Sequence, residues 1–533
     1  MRMMTDHPND GTQKPPVGQG GLIAFLLPEP LMEFGDNGRH VDPKFGLTLH
    51  GPYGGHSNTP RPGGGVVHLG MVGETDVLDQ GLAWFDRCQT SISVSDRDAF
   101  LAPPFPGFLR AVGVTFSIPE PLRSTIPEDD VDEIEAQPIP VKRVQQGVQL
   151  YADRLRRLKE VDDPRPSAVV CALSKRMIDL CYIGRPSFLR RARPKLSATQ
   201  RQLIAAIRKH RQEYQKTLGE WEPELALDQS LIDLAESMEA PRDFYRLLKA
   251  EAMTIGMPIQ VAKEGTFLGG PGVEDDATRA WNLAVGLYYK TQGTPWRVRG
   301  LDPGACYVGV TFFRDRLTDA PRLRTAMAHI FTASGEGLVI RGEPFEWDRN
   351  LGATPHLTKA AASSLMTRAL DLYREHAQRD PSRLIVHKTS VFWKDEIDGF
   401  QEASGGVSKK DFVAFRKRPS LQTFRLGEAP PLRGTVISVG KGRYLVFTRG
   451  YIPFLRMYPG ARMPRPLEVI QHIGSSPARQ VCKEILALTK MNWNSAGFCS
   501  YLPSTLAFAA KVGDILGSVP EEVIVSPYYR HYM

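Results

Sequence analysis

"DFYRLLKAEAMTIGMPIQVAKEG", residues 243–265, carries an α/β signature in a single line: an amphipathic helix, a Gly-Met-Pro turn and an apolar strand. Its polar residues are the unusual part. Tyr245 and Lys249 stand one helical turn apart on one face, and Gln260 lies at the mouth of the strand. A phenol, an ammonium and an amide grouped in this way either hold an anion or form an ordinary solvated surface. The remainder of the chain has to decide between the two.

Upstream, residues 1–20 are polar and read as a disordered tail. A strand followed by a Gly/Pro loop is expected over 42–65. Further strands are expected at 66–73, within 107–118 and at 167–173, with helices at 75–88 and 148–160 between them. Strands separated by single helices point to an α/β sheet with helices on its faces. The most basic segment is 190–216, where helical spacing sends Leu203, Ile204 and Ile207 inward and Arg208, Lys209 and Arg211 outward. Those cations form either a solvated helix face or a patch against a nucleic-acid backbone. An amphipathic helix with a glycine-containing exit is expected over 278–298.

A change of composition near residue 300 suggests a boundary, dividing the chain into units 21–295 and 296–533. "ACYVGVTFF" (305–313) is a hydrophobic strand that opens a second α/β unit; 336–347 reads as paired strands, 359–377 as a helix and 383–389 as another buried strand. "FVAFRK", "GTVISV" and "RYLVFTR" have the spacing of a β-rich meander, and two helices follow.

A length of 533 residues exceeds what one core organises, so two or three domains are expected. The 42% apolar and 24% charged content is that of a folded soluble protein, and 48 glycines with 42 prolines predict long loops. A formal charge of +8 permits a polyanionic partner without requiring one. Six scattered cysteines with no CxxC or Cys/His cluster argue against zinc and for a reducing, cytoplasmic setting. The first residues lack the pattern of a secretory signal, and no apolar run reaches about 20 residues, so no membrane span is expected.

The second unit has the element order of a ribonuclease-H-like fold, whose nuclease members gather carboxylates around divalent metals. Two metal ions about 3.5–4 Å apart clamp the attacking and leaving oxygens of a phosphodiester, and hard Mg²⁺ wants oxygen ligands. The corresponding positions, on the first strand and at the end of the later parallel strand, hold Thr311 and Thr389. A threonine hydroxyl brings no charge to offset two divalent ions. Asp315, Glu336, Glu343, Asp348, Asp395 and Glu396 read as loop or strand-end residues, and a rescue would need two of them to converge on Thr311. No P-loop, dinucleotide fingerprint or nucleophile elbow occurs, so no organic cofactor is expected. His387 and Lys388 read as an acid–base pair, a satisfied histidine or a phosphate contact at a strand end.

The binding signals are stronger. Tyr245, Lys249 and Gln260, joined by Lys290 at the end of the next helix, offer a phenol, two ammoniums and an amide. A terminal phosphate has three oxygens to satisfy and about two charges to match, and the tyrosine ring can stack on the first base.

The sequence resembles the short prokaryotic Argonautes, which hold only a MID and a PIWI domain. The matching text is distributed over most of residues 30–520: "EFG" with "DPKFGLTLHGPYG", "YRLLKAEAMTIGMPIQ", "WNLAVGLYYKTQGTPWRV", "YVGVTF", "GEGLVIRG", "LIVHKTSVFWKDEIDGF" and "LTKMNWNSAGFCSYLPSTLAFAAKVGDIL". The resemblance implies a Rossmann-like MID domain followed by a ribonuclease-H-like PIWI domain. It implies that Tyr245, Lys249, Gln260 and Lys290 hold the 5′-phosphate of a guide strand. It also implies that the carboxylate of Met533 comes near this pocket, through a shared Mg²⁺ ion. The carboxylates of slicing relatives fall at Thr311, Thr389 and near Ala496 or Gly497, with Glu336 and Glu343 both open as the remnant glutamate. A guide, RNA rather than DNA, a single-stranded DNA target, and a separate effector chain with an APAZ region fused to a TIR, Sir2-like or nuclease domain are the implied partners. The PAZ domain that grips a guide's far end has no counterpart here, so the partner is expected to complete the channel. An active guided nuclease with displaced carboxylates and a scaffold without nucleic acid are the competing expectations.

Overall fold

The computed structural model describes residues 22–54, 65–94, 103–181, 243–314, 323–331, 337–345, 355–417, 419–460, 463–517, 519 and 525–533. The tail, the basic segment with Arg208, Lys209 and Arg211, and the acids Asp315, Glu336 and Asp348 lie outside the described residues.

Strands β1 (Ala24–Leu26), β2 (Met32–Glu33) and β3 (Arg39–His40) precede helix α1 (Pro43–His50). The strand expected at the start of 42–65 is therefore a helix. Asp42 is the reason: its carboxylate accepts from Lys44 N at 2.8 Å and Phe45 N at 3.0 Å, and Pro43 presets the first helical φ. Asp42→Ala is expected to lower stability by about 1 kcal/mol, read as a lower denaturant midpoint at unchanged slope.

The first unit continues with β4 (Gly65–Glu74), α2 (Thr75–Arg87), β5 (Val114–Ser117), β6 (Arg123–Ile126), α3 (Pro140–Lys159) and β7 (Ala168–Leu173). Only the second half of 107–118 is extended, because Phe108–Val112 forms a single helical turn ended by Gly113 at φ 74°. Beyond the undescribed stretch come α4 (Phe244–Ile255), β8 (Ile259–Lys263) and α5 (Asp276–Lys290). The strands run β5-β4-β7-β8 with β6 also on β4, and every pairing is parallel. All six residues of β7 are buried, as a parallel strand covered on both faces requires.

The second unit holds β9 (Arg297–Val298), β10 (Ala305–Arg314), β11 (Leu323–Phe331), β12 (Gly337–Phe345), α6 (Lys359–Ala377), β13 (Arg383–Lys388), α7 (Lys394–Ala403), β14 (Lys409–Arg416), β15 (Thr435–Gly440), β16 (Arg443–Val446), β17 (Leu467–Gly474), α8 (Ala478–Leu488) and α9 (Ser504–Leu516). Its nine-stranded sheet runs β1-β15-β16-β17-β14-β13-β10-β11-β12. The central pairs β10/β13 and β13/β14 are parallel and the flanking ones antiparallel. The expected pair of strands over 336–347 is instead the single strand β12, whose partner is β11.

The two units share a core. Trp493 of the second unit packs on Tyr289 of α5 with ring centroids 4.8 Å apart, and it is held there by Trp296, at the junction, whose main-chain oxygen accepts from Trp493 Nε1 at 3.2 Å. β1 joins the second sheet although it stands at the start of the chain, Ala24 pairing with Ile437. No helix among the described residues is long and apolar enough to cross a membrane.

Candidate nucleic-acid interface

Asp243 caps α4, accepting from Arg246 N, and Gly256 ends the helix in the left-handed region at φ 75°. The turn then delivers β8 alongside β7, with Gln260 opposite Val170. Tyr245 and Lys249 do share a face, the Lys249 ammonium lying 5.7 Å from the centre of the tyrosine ring. Lys249 is buried at 1% exposure and donates to Ile259 O at 2.7 Å and to the main-chain oxygen of Met533. Gln260 is half-buried, its Nε2 donating to Val261 O at 3.1 Å. The closing segment docks on β12, Val339 N donating to Pro527 O at 2.7 Å, and this brings Met533 to Lys249.

Lys290, the last residue of α5, is 1% exposed, and its ammonium has no hydrogen-bond partner among the described residues. Such a group is costly to bury and calls for an anion. A third lysine was missed in the sequence. Lys511 lies on α9, half-buried, and α9 packs on α4 through the Arg246–Asp514 ion pair at 3.2 Å. Lys249 stands three residues after Arg246 on α4, and Lys511 three residues before Asp514 on α9. Nothing local marks Lys511, since "LAFAAKVGDIL" is an apolar helix with one cation and the site depends on tertiary packing.

Burial depresses all three amines, and neighbouring lysine charge adds to it at Lys249 and Lys290. Burial, then the Lys511 charge, pushes Lys249 down to about 7. Burial, then Lys249 and Lys511, holds Lys290 well below the ordinary lysine value, and burial pushes Lys511 down to about 8. His531 is lowered to about 4 by burial together with Arg530, Lys249 and Lys290, so it is neutral at physiological pH. Burial, with Asp243, pushes the Tyr245 phenol up to about 12. The cluster is therefore electropositive, with donors and no acidic side chain bonded to its amines among the described residues.

On the second sheet, β10 and β13 run in parallel with Val310 opposite Lys388, and Thr311 and Thr389 are the next residue on each chain segment, Thr389 just past the end of β13. Thr311 is buried. The expected third position, Ala496 or Gly497, lies between α8 and α9. Gly497 is exposed, and Ala496 N donates to Asn282 Oδ1 on α5. Thr505 of α9 also meets β13, its hydroxyl sharing a 2.8 Å hydrogen bond with His387 Nδ1.

The proposed backbone contacts His387 and Lys388 are corrected by burial: 1% and 0% exposed, they face the interior. β13 is covered on both faces, so alternation could not reveal which of its polar residues met solvent. Burial, then Arg383, lowers His387 to about 3, and Phe415 packs against the ring at 5.0 Å. Lys388 donates to both oxygens of Glu396, at 2.5 and 2.6 Å, between the rings of Phe312 and Phe392. Glu396 also accepts from Leu357 N at 2.8 Å and Trp393 N at 3.0 Å, so it is fully committed. Asp395 and Glu343 are exposed. Among the described residues, no group of three or more His, Cys, Asp or Glu side chains could hold a metal ion.

The chain superposes on a Clostridium butyricum Argonaute bound to a guide DNA and a 19-mer target DNA, with a TM-score of 0.60 at 13% identity over 95% of this chain and 54% of that one. The fold is that of the Argonaute and Piwi structures. Drosophila Piwi matches with a TM-score of 0.55 and Aa-Ago with externally bound siRNA with 0.52, each at 13% identity over 96% of this chain and 56% of the other. The chain spans about half the length of the Argonaute-like structures it matches. No protein-family model matches the sequence, and no match was found among curated proteins.

Proposed function

We propose that this chain is the guide-binding subunit of a short Argonaute system, with residues 21–295 acting as a MID domain and 296–533 as a PIWI domain that borrows β1. The observation that carries this is the convergence of Lys249, Lys290 and Lys511 beside Tyr245 and Gln260, with the Lys290 ammonium unpartnered among the described residues. Such a cluster suits a terminal phosphate. The proposed guide is a 5′-phosphorylated strand, RNA in preference to DNA, paired with a single-stranded DNA target in the cytoplasm. Pairing reads the sequence, while the protein reads backbone charge and shape. Thr311 and Thr389 leave the PIWI pocket without charge for a metal pair, so target destruction falls to a partner chain with an APAZ region.

Binding of matched oligonucleotides with a 5′-phosphate or a 5′-hydroxyl tests the pocket. Two charge-assisted bonds predict a preference for the phosphate of about a hundredfold or more. Equal binding of the two ends refutes the assignment. Guide-dependent cutting by the pure chain with Mg²⁺ or Mn²⁺ would instead favour the displaced-carboxylate nuclease.

A further inference from the structure

The amines of the phosphate pocket bear on the Mg²⁺ ion expected there. A Mg²⁺ site needs several oxygen ligands and neighbouring negative charge. Around Lys249, Lys290 and Lys511 the described residues supply the Gln260 amide and Met533, the expected carboxylate, one oxygen of which Lys249 already engages. Three ammonium groups already balance the phosphate dianion, at about two charges, together with the single charge of the expected Met533 carboxylate. A divalent cation would add two further positive charges to a buried cluster whose amines already repel one another. The residues present do not fit the metal.

We infer that the pocket holds a terminal phosphate monoester without a divalent ion, and that Lys511, supplied by the second unit, stands in for the metal. This rests on the guide-binding reading above and deepens it. Three observations are independent of the resemblance. Lys290 is buried with no hydrogen-bond partner among the described residues. Lys511 stands one turn from Asp514 on α9, whose ion pair with Arg246 joins α9 to α4, and its charge is felt at both Lys249 and Lys290. One oxygen of Met533, the residue expected to ligate a metal, is occupied by Lys249. Placing Lys511 on the opposite unit has a mechanical corollary: the phosphate ties α4 and α5 to α9, so occupancy couples the two units.

The test uses the full chain, with any co-purifying partner retained, and fluorescence anisotropy of a 5′-phosphorylated oligonucleotide and its 5′-hydroxyl counterpart in EDTA and in Mg²⁺. The wild type should keep its phosphate preference within about twofold in EDTA. Lys511→Met should lose about tenfold or more of that preference in EDTA, while Lys511→Arg retains it. A wild-type preference that collapses in EDTA and returns with Mg²⁺ overturns the inference and leaves guide binding intact. A Lys511→Met protein whose preference is unchanged also overturns it. If no preference exists in either buffer, guide-phosphate binding itself fails, and the inference falls with it.

Discussion

Glu396→Ala is expected to destabilise the second unit by about 3–5 kcal/mol, because it leaves the Lys388 ammonium charged, unpaired and buried between two phenyl rings. Two main-chain donors, Leu357 N and Trp393 N, lose their acceptor in the same stroke. The contrasting variant is Lys388→Met with Glu396→Leu, which replaces the pair by apolar groups and should recover the part of the loss owed to the stranded charge, the two main-chain donors still lacking their acceptor. Chemical denaturation of the three proteins decides. A Glu396→Ala midpoint indistinguishable from wild type would mean that Lys388 sheds its proton or reaches water when its partner goes.

Lys249→Met combined with Lys290→Met should move stability and binding in opposite directions. The phosphate preference should fall by two orders of magnitude or more, since two charge-assisted bonds disappear. The unliganded protein should become more stable, since two amines that burial disfavours are gone. The same opposition appears in pH. The folded pKa values of Lys249 and Lys511, about 7 and about 8, lie below the ordinary lysine value, so the unfolded chain binds more protons between those values and about 10. Stability of the free protein therefore rises with pH across that window. Phosphate affinity falls across it, because the anion favours the protonated amines. Tyr245, His531, Cys171, Asp243, Arg246, Asp514 and Arg530 also face this cluster, and of these the structure shifts Tyr245 and Cys171 up to about 12 and His531 down to about 4, outside the window. A binding curve flat from pH 7 to 9, with the 5′-hydroxyl control also flat, would contradict this assignment.

Local rules carried the sequence a long way where local forces decide. The run 243–265 declared its helix, turn and strand, and 359–377 declared a helix with the observed limits, because apolar period and caps agree. The α1 helix was hidden because its first turn depends on one carboxylate, Asp42, inside a stretch rich in turn residues. β11 reads "LRTAMAHIF", where Ala and Met favour a helix, and it is extended because β10 and β12 flank it. Tyr245, Lys249, Gln260 and Lys290 could be nominated from spacing, but Lys511 could not, since its partners lie more than 200 residues away and only packing unites them. His387 and Lys388 failed in the other direction. In a strand buried on both faces, a polar residue signals an internal partner as readily as an external ligand.

The strand β1 also sets a timetable for the growing chain. Its partner β15 follows roughly 400 residues later in the sequence. At about 5–20 residues per second, synthesis leaves β1 unpaired for roughly 20–80 s. Leu22, Ile23 and Leu26 remain largely exposed even after pairing, so an apolar segment stays open to other encounters throughout that interval. Cutting the chain between residues 295 and 296 would place β1 and β15 on separate polypeptides, turning the closure of this sheet edge from an intramolecular step into a bimolecular one whose rate depends on concentration.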